Sequence, residues 1–312
     1  MAEFHEFYFN SSTKVNTIRA IKFTPSTSPK AIIQVAHGIA DHIDRYKEFM
    51  EFLSDKGFIV VGNDHLGHGH SIHHPIEQGF FAYKNGWDHA VNDIEKLRLI
   101  TTEQHPNLPY IFFGHSMGSF LIRTYLIKHP GNYHAAILSG TGHMSRAMIE
   151  SGYALAAAIV KLKGARHVSK LIDKIAFGNY NHQFKPTRTN FDWISRDESQ
   201  VDKYICDPFC GFIATASLFS DMMSALKYIT DEKNICSMNK VKPIYFMSGD
   251  NDPVGENGKG VLRAYEAFCN AGIKDVCVKL YSGGRHEMLN EINKYEVYND
   301  IYNWIESKIK KA

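Results

Sequence analysis

The residues with the clearest chemical potential lie in the stretch "GHSMG", in which Gly114, Ser116 and Gly118 form the pattern G-x-S-x-G. This pattern is typical of a sharp turn from a strand into a helix, because small residues on both sides of the serine let the two elements approach each other. The apolar "YIFF" before it predicts the strand, and "SFLIRTYLIK" after it predicts the helix. Ser116 is therefore a candidate nucleophile for acyl transfer, with a surface serine in a glycine turn as the alternative.

An activated serine needs a base and an acid that orients the base. Where this turn occurs, they follow along the chain in the order Ser, acid, His. The segment "MSGDNDPVG" holds Asp250 and Asp252, and "SGGRHEML" holds His286, each directly after an apolar, strand-like run. Ligands of open α/β sheets bind at the carboxyl ends of strands, so we expect these side chains near Ser116. The residues alone leave either aspartate open as the acid, and the other would be a turn or capping residue.

Two backbone N–H groups must also face the oxyanion that develops during acyl transfer. The residue after the nucleophile, Met117, offers one of them. The stretch "VAHGIADH" predicts the second, because Gly38 allows the chain to turn after a strand and Ile39 then presents its N–H. An ordinary turn at the end of a strand is the alternative for this loop.

The elements that position these groups alternate between strand and helix. Runs such as "AIIQVAHG" and "FIVVGND" are rich in β-branched residues and predict strands buried on both faces. Amphipathic segments such as "DHAVNDIEKLRLITTEQH" predict the helices between them. We therefore expect an α/β fold, with a mostly parallel sheet and helices on both faces. The pattern breaks between about 142 and 239, where helical text predicts a cap inserted into a core formed by residues 1–141 and 240–312.

Composition narrows the class of protein further. The chain has 312 residues, with 35 Lys and Arg against 33 Asp and Glu, and shows no basic stripe, so nucleic acid is not an expected partner. Five cysteines without a C-x-x-C pair favour reduced thiols over a disulfide framework. We see no signal peptide or membrane-spanning run, and we expect a cytoplasmic protein, with peripheral membrane contact as an added possibility.

Taken together, five motifs resemble the monoacylglycerol lipase and lysophospholipase group of α/β-hydrolases. They are "HGIADHIDRY" (37–46), "DHLGHGHS" (64–71), "GHSMGS" (114–119), "GDNDPVG" (249–255) and "GGRHEMLNE" (283–291). The resemblance spans nearly the whole chain in the same order. It implies the α/β-hydrolase fold, a helical cap over the site and a serine carboxylester hydrolase that uses no cofactor and no metal.

The resemblance also assigns roles to individual residues. Ser116 resembles the family's nucleophile and His286 its general base, and Asp252 resembles its acid because it stands three residues after Gly249. The residues that resemble the oxyanion donors are Ile39 and Met117. One position departs from the family pattern, since Asp41 stands where relatives usually carry Glu, beyond the expected donor.

The expected partner is a small-molecule or lipid ester, and the inserted segment offers two hints about it. "CGFIATASLFSDMMSAL" contains Met222 and Met223, which fit either plain core, the favoured interpretation, or a tunnel for an acyl chain. "YALAAAIVKLKG", with Lys161 and Lys163 at its rim, favours packing within the cap and leaves contact with a lipid surface as the alternative.

Other functions remain open from the sequence. The fold also hosts small-ester carboxylesterases, amidases and aminopeptidases, and catalytically inactive binding modules. A further alternative is a metallohydrolase that uses the cluster His65–His74, which contains five histidines. That cluster places Ile72 where a metal-binding aspartate would stand, and an apolar side chain cannot coordinate a metal.

Overall fold

A single eight-stranded sheet organises the protein, as described by a computed structural model for residues 2–309. The strands are β1 (Glu3–Asn10), β2 (Thr17–Thr24), β3 (Ile32–Ala36), β4 (Ile59–Asn63), β5 (Tyr110–His115), β6 (Ala135–Ser139), β7 (Ile244–Gly249) and β8 (Val276–Tyr281). Their order is β1-β2-β4-β3-β5-β6-β7-β8. β3 to β8 run parallel, while β1 and β2 form an antiparallel hairpin that joins the sheet through β4. The predicted mostly parallel α/β architecture is confirmed.

Helices cover both faces of the sheet. They are α1 (Lys47–Asp55), α2 (Gly86–Gln104), α3 (Met117–Lys128), α4 (Arg146–Lys163), α5 (Lys170–Phe177), α6 (Glu198–Cys206), α7 (Ala216–Thr230), α8 (Glu232–Cys236), α9 (Lys259–Asn270) and α10 (Lys294–Ile309). One apolar core joins the sheet to α2, α3, α7 and α9, and a second core on the opposite face joins it to α1 and α10. The sequence predicts that the last helix continues through Lys311, but Lys310 and Lys311 lie outside the described residues. Buried strands between two helical layers explain why β3 to β6 read as continuous apolar runs.

The chain between β6 and β7 contains five of the helices, α4 to α8, and this segment is called the insertion (142–239) below. It packs against the core mainly through α7, which contacts α3 and α2. Arg123 of α3 is fully buried and donates hydrogen bonds to the carbonyl oxygens of Gly142 (2.8 Å) and Ile229 (3.1 Å). The Arg123 guanidinium therefore binds the insertion at two places, at its first residue and near the end of α7.

The sequence also predicts reduced cysteines and no membrane-spanning helix. All five cysteines are unpaired. Within residues 2–309, no helix combines the length and the apolar character needed to cross a bilayer.

Candidate active site

Ser116 occupies the turn between β5 and α3, and its backbone is strained. Its φ of 52° and ψ of −123° lie in a region that side chains other than glycine rarely adopt. The flanking glycines make this turn possible, since a Cβ on Gly118 would lie 2.1 Å from the carbonyl oxygen of Ala36, and one on Gly114 2.7 Å from that of Gly118. Strand and helix thus meet at a distance that only glycine allows, as the G-x-S-x-G pattern predicts.

His286 and Asp252 form a close, buried pair. His286 Nδ1 lies 3.0 Å from both carboxylate oxygens of Asp252, and the two residues are 4 % and 0 % exposed. Ser248 Oγ and the backbone N–H of Val254 also donate to the Asp252 carboxylate, at 3.0 and 2.9 Å. These donors hold the carboxylate in one orientation, and the carboxylate in turn orients the imidazole.

Asp250, the other candidate acid, has a different role. Its Oδ1 accepts a hydrogen bond from the backbone N–H of Gly283 at 2.7 Å, which ties the loop after β7 to the loop after β8. The structure thus brings Asp252, and not Asp250, against His286. Two aromatic rings pack on the imidazole: Trp193 of the insertion, with ring centroids 5.2 Å apart, and His115, at 4.6 Å.

Charges around the pair adjust its protonation. Burial disfavours the imidazolium, but the charge and hydrogen bond of Asp252 outweigh burial, and the pKa of His286 is raised above its usual value. Burial by itself would raise the pKa of Asp252. His286 and the donated hydrogen bonds outweigh burial, so that pKa lies below its usual value. Burial and the neighbouring His286 lower the pKa of His115 to about 4. At neutral pH, His115 is therefore neutral and adds no charge beside the pair.

The loop after β3 comes into contact with the serine. A Cβ on Gly38 would lie 3.3 Å from Ser116 Cβ, so the chain passes directly beside the nucleophile candidate. Ile39 and Met117 both line the cavity that contains Ser116. Met117 is also the first residue of α3, and N–H groups in the first turn of a helix have no acceptor within that helix.

The histidine cluster does not converge on one point. His65 and His68 are buried and hydrogen-bonded to backbone, to the carbonyl oxygens of His37 (3.2 Å) and Leu66 (2.8 Å). Burial, with charge repulsion from His68, lowers the pKa of His65 to about 3, and burial lowers that of His68 to about 4. The remaining three members, His70, His73 and His74, are exposed. The cluster therefore buttresses the loop after β3 with neutral rings.

A buried polar network beside the serine was missed by the sequence analysis. Arg45 donates to both carboxylate oxygens of Glu287, at 2.8 and 2.6 Å, and to Asp41 at 3.0 Å. Tyr46 donates its hydroxyl to Asp41 at 2.8 Å, and the ring of Tyr204 lies 4.8 Å from the Arg45 guanidinium. The available signals were the i, i+4 spacing of Asp41 and Arg45 and the position of Glu287 next to His286, but neither indicates that these segments meet.

A cavity of about 500 Å³ lies beside this network. Ser116 and His286 line it, together with Asp41, Glu287 and Tyr204. The rest of its wall is mostly apolar and comes largely from the insertion, with Leu155, Ile172, Phe177, Phe219, Met223 and Leu226 among its members. Met222 lines the cavity and also belongs to the apolar core, which fits the core interpretation, and the tunnel for an acyl chain stays a prediction.

The fold and this arrangement define the class of protein: an α/β-hydrolase with a serine at its strand-to-helix turn. Residues 27–293 match the family described as serine aminopeptidase, S33, and the chain belongs to that family. It is a serine hydrolase of the monoacylglycerol lipase group of α/β-hydrolases.

Relatives extend over most of the chain. A monoacylglycerol lipase of Mycolicibacterium smegmatis is 28 % identical over 92 % of both chains. A monoglyceride lipase of Rattus norvegicus is 25 % identical over 92 % of this chain and 86 % of its own. Among solved structures, a thermostable carboxyl esterase from Bacillus coagulans, in complex with glycerol, has a TM-score of 0.92 and 29 % identity over 99 % of both chains.

Proposed function

We propose that this serine hydrolase cleaves carboxylic esters of lipid-like substrates, foremost monoacylglycerols, through an acyl-enzyme on Ser116. The observation that carries the proposal is the cavity, in which Ser116 and His286 lie beside a polar network while most of the wall is apolar. A monoacylglycerol has the same division, with a polar alcohol on one side of the ester and an acyl chain on the other. A lysophospholipid shares this division and stands as the alternative head group.

The proposed mechanism follows from the hydrogen bond that His286 already makes with Asp252. Asp252 occupies Nδ1 of His286, so Nε2 is the nitrogen left to take the proton of Ser116 Oγ as the oxygen attacks the ester carbonyl. The N–H groups of Ile39 and Met117 stabilise the tetrahedral oxyanion, each worth about 3 kcal/mol. The protonated His286 then gives its proton to the departing alcohol. Water repeats the sequence on the acyl-enzyme and releases the acid.

The polar network supports a hydroxyl-rich alcohol product. Asp41, Glu287 and Tyr204 line the cavity, but Arg45 already bridges the two carboxylates and the Tyr204 hydroxyl donates to the Ala40 carbonyl. Neutral hydroxyl groups bind such a bridged pair without leaving a charge unpaired. The ammonium group of a peptide would compete with Arg45 for the same oxygens. This favours an ester with a polyol alcohol over an aminopeptidase substrate.

We propose that the insertion (142–239) acts as a cap that admits the acyl chain and contacts a lipid surface. Met148 of α4 and Ile175 of α5 line the cavity and are also 53 % and 61 % exposed, so this wall opens to solvent between the two helices. Leu171 lies one turn before Ile175 on α5 and is 55 % exposed, and the neighbouring Lys174 is exposed too. An apolar strip with lysines at its edge suits an anionic lipid surface.

An ester panel tests the substrate. Monoacylglycerols, lysophosphatidylcholine, short p-nitrophenyl esters and amino-acid p-nitroanilides should be compared with the Ser116→Ala protein as background. We expect kcat/KM to rise from acetyl to medium and long acyl chains, and monoacylglycerol to exceed the anilides. A strict preference for acetyl esters would replace the proposal with a small-ester carboxylesterase, and a preference for anilides would replace it with an aminopeptidase.

A fluorophosphonate probe tests the nucleophile separately. It should label the wild type and not Ser116→Ala, while Ser119→Ala serves as the matched control because Ser119 lies in the same turn with its hydroxyl bonded to the Ser116 carbonyl. Labelling that persists in Ser116→Ala would refute the assignment of the nucleophile.

A further inference from the structure

Hydrogen bonds hold the insertion against the loop that carries Ile39, and potential metal ligands lie beside these bonds. Tyr204 Oη and the backbone N–H of Gly211 both donate to the carbonyl oxygen of Ala40, each at 3.1 Å. Beside these bonds, His42 Nε2 lies 2.8 Å from Asp207 Oδ2. Ala40 itself has a φ of 51°, an uncommon conformation for a residue with a side chain. The insertion thus holds the loop in a strained shape at this point.

Three side chains meet there with coordinating atoms. A ring nitrogen of His42, a carboxylate oxygen of Asp207 and Cys210 Sγ all lie within 4.8 Å of one another. Asp207 and Cys210 belong to one tight turn, closed by a hydrogen bond from the Cys210 N–H to the Asp207 carbonyl at 3.0 Å. His42 comes from the core, so the cluster spans the boundary between the core and the insertion.

One ring nitrogen of His42 makes no hydrogen bond within the described residues. The residue is 5 % exposed, and its Nδ1 has no hydrogen-bond partner among residues 2–309. Neutral imidazole is the form that coordinates a metal, and it can do so through either ring nitrogen. His, Asp and Cys are also the donor types that Zn²⁺ prefers, and three such ligands leave a fourth position for water.

The surroundings favour a cation. The carboxylates of Asp41, Glu287 and Asp207 all act on Cys210, against the single guanidinium of Arg45. A divalent ion would offset the excess negative charge. The Asp207 side chain is 26 % exposed, which provides a route of entry from solvent.

We propose that His42, Asp207 and Cys210 form a binding site for a thiophilic divalent metal ion such as Zn²⁺, which regulates the serine site through the loop at Ala40. Binding replaces the S–H bond of Cys210 by a metal–sulfur bond and releases the proton to solvent, with no change in oxidation state. In a tetrahedral site, Zn–S and Zn–N bonds of about 2.3 and 2.0–2.1 Å keep neighbouring ligand atoms about 3.3–3.7 Å apart, whereas His42 Nε2 and Asp207 Oδ2 are 2.8 Å apart. Binding therefore changes the spacing between His42 and the turn of Asp207 and Cys210, and it shifts the loop that carries the Ile39 N–H.

Cobalt substitution tests the site without any catalysis. Co²⁺ added to the Ser116→Ala protein should give a thiolate-to-metal absorption band, which Zn²⁺ removes and Mg²⁺ does not. Loss of an outer partner of a ligand costs about 10–100-fold in metal affinity, so Cys210→Ser or Asp207→Asn should weaken binding at least that much. Cys206→Ser is the matched control, since Cys206 is an exposed thiol directly before the same turn. Absence of the band, or a band that follows Cys206, would overturn the site.

The regulatory step rests on the proposed function and has its own readout. Zn²⁺ should slow fluorophosphonate labelling of Ser116 at least about tenfold in the wild type and in Cys206→Ser, but not in Cys210→Ser. Cobalt binding with unchanged labelling would overturn the regulation. If the probe never labels Ser116, the proposed function fails, while the cobalt spectrum still decides the site.

Discussion

Replacing Asp252 by asparagine removes one charge and leaves the size of the side chain unchanged. The Val254 N–H must still find an oxygen, so the amide oxygen stays in the Oδ1 position and the NH₂ group takes the Oδ2 position. Ser248 Oγ, now a donor to Oδ2, can turn to accept from this NH₂. The second N–H of the amide then faces His286 Nδ1, which was 3.0 Å from Oδ2.

This geometry predicts the wrong tautomer of the base. An amide N–H donating to Nδ1 leaves the imidazole proton on Nε2, where it blocks uptake of the serine proton. The loss expected for such a tautomer change is about 10³–10⁴-fold in kcat, which corresponds to about 4–5.5 kcal/mol of transition-state stabilisation. KM should change little, because Asp252 is fully buried and substrate does not touch it.

Asp250→Asn is the matched control, since it makes the same chemical change two residues away. Asp250 accepts from Gly283 in a loop hydrogen bond, and an amide oxygen can accept that bond as well. We expect less than about a tenfold loss. Both variants should be assayed with a p-nitrophenyl ester of medium chain length, after thermal melts have shown that each is folded. A larger loss in Asp250→Asn than in Asp252→Asn would refute the reasoning.

Four further outcomes are expected. The acidic limb of kcat/KM should have its midpoint above pH 6.5, because the pKa of His286 is raised and only the neutral ring acts as a base; a midpoint well below 6.5 would contradict this. Met223→Trp should fill part of the cavity and shift the preferred acyl chain to shorter lengths in the ester panel, with little effect on acetyl esters. Leu171→Glu should weaken sedimentation with anionic vesicles, whereas Val15→Glu, at an 87 % exposed position on the β1–β2 hairpin, should not. Asp221→Asn should raise Tm more at pH 8 than at pH 5, because burial and Asp88 raise the pKa of Asp221 from 3.8 to about 7, so the carboxyl group costs stability increasingly as the pH rises between these two values; equal shifts at both pH values would contradict this.

The elements that local sequence defines were predictable. The G-x-S-x-G turn and the strands of the core depend on spacing and apolar runs within contiguous residues. The choice between Asp252 and Asp250 was not predictable from the residues alone, because both lie in one short loop. Which carboxylate faces His286 depends on how that loop folds against the loop after β8. Only the family resemblance favoured Asp252.

The polar network was beyond sequence reasoning for a different reason. Arg45 and Glu287 are 242 residues apart, and their contact exists only because the loops after β3 and β8 meet at the same edge of the sheet. The histidine cluster shows the reverse case, a conspicuous sequence pattern that does not form a metal site among the described residues. Five neighbouring imidazoles suggest a metal, yet the two buried members each bond to backbone, and among the described residues the histidine that lies with a carboxylate and a thiol is His42.

The hydrogen bonds of Arg123 decide how the insertion can be exchanged with that of a relative. Any graft that replaces residues 142–239 must supply carbonyl oxygens at the places of Gly142 and Ile229, or the buried Arg123 keeps only its 3.5 Å hydrogen bond to Thr141 Oγ1. No carboxylate neutralises this guanidinium among the described residues, and burial lowers its pKa to about 9. Chimeric proteins should therefore be designed with Arg123 and its two acceptors moved as one unit, or with Arg123 replaced by an apolar residue at the same time.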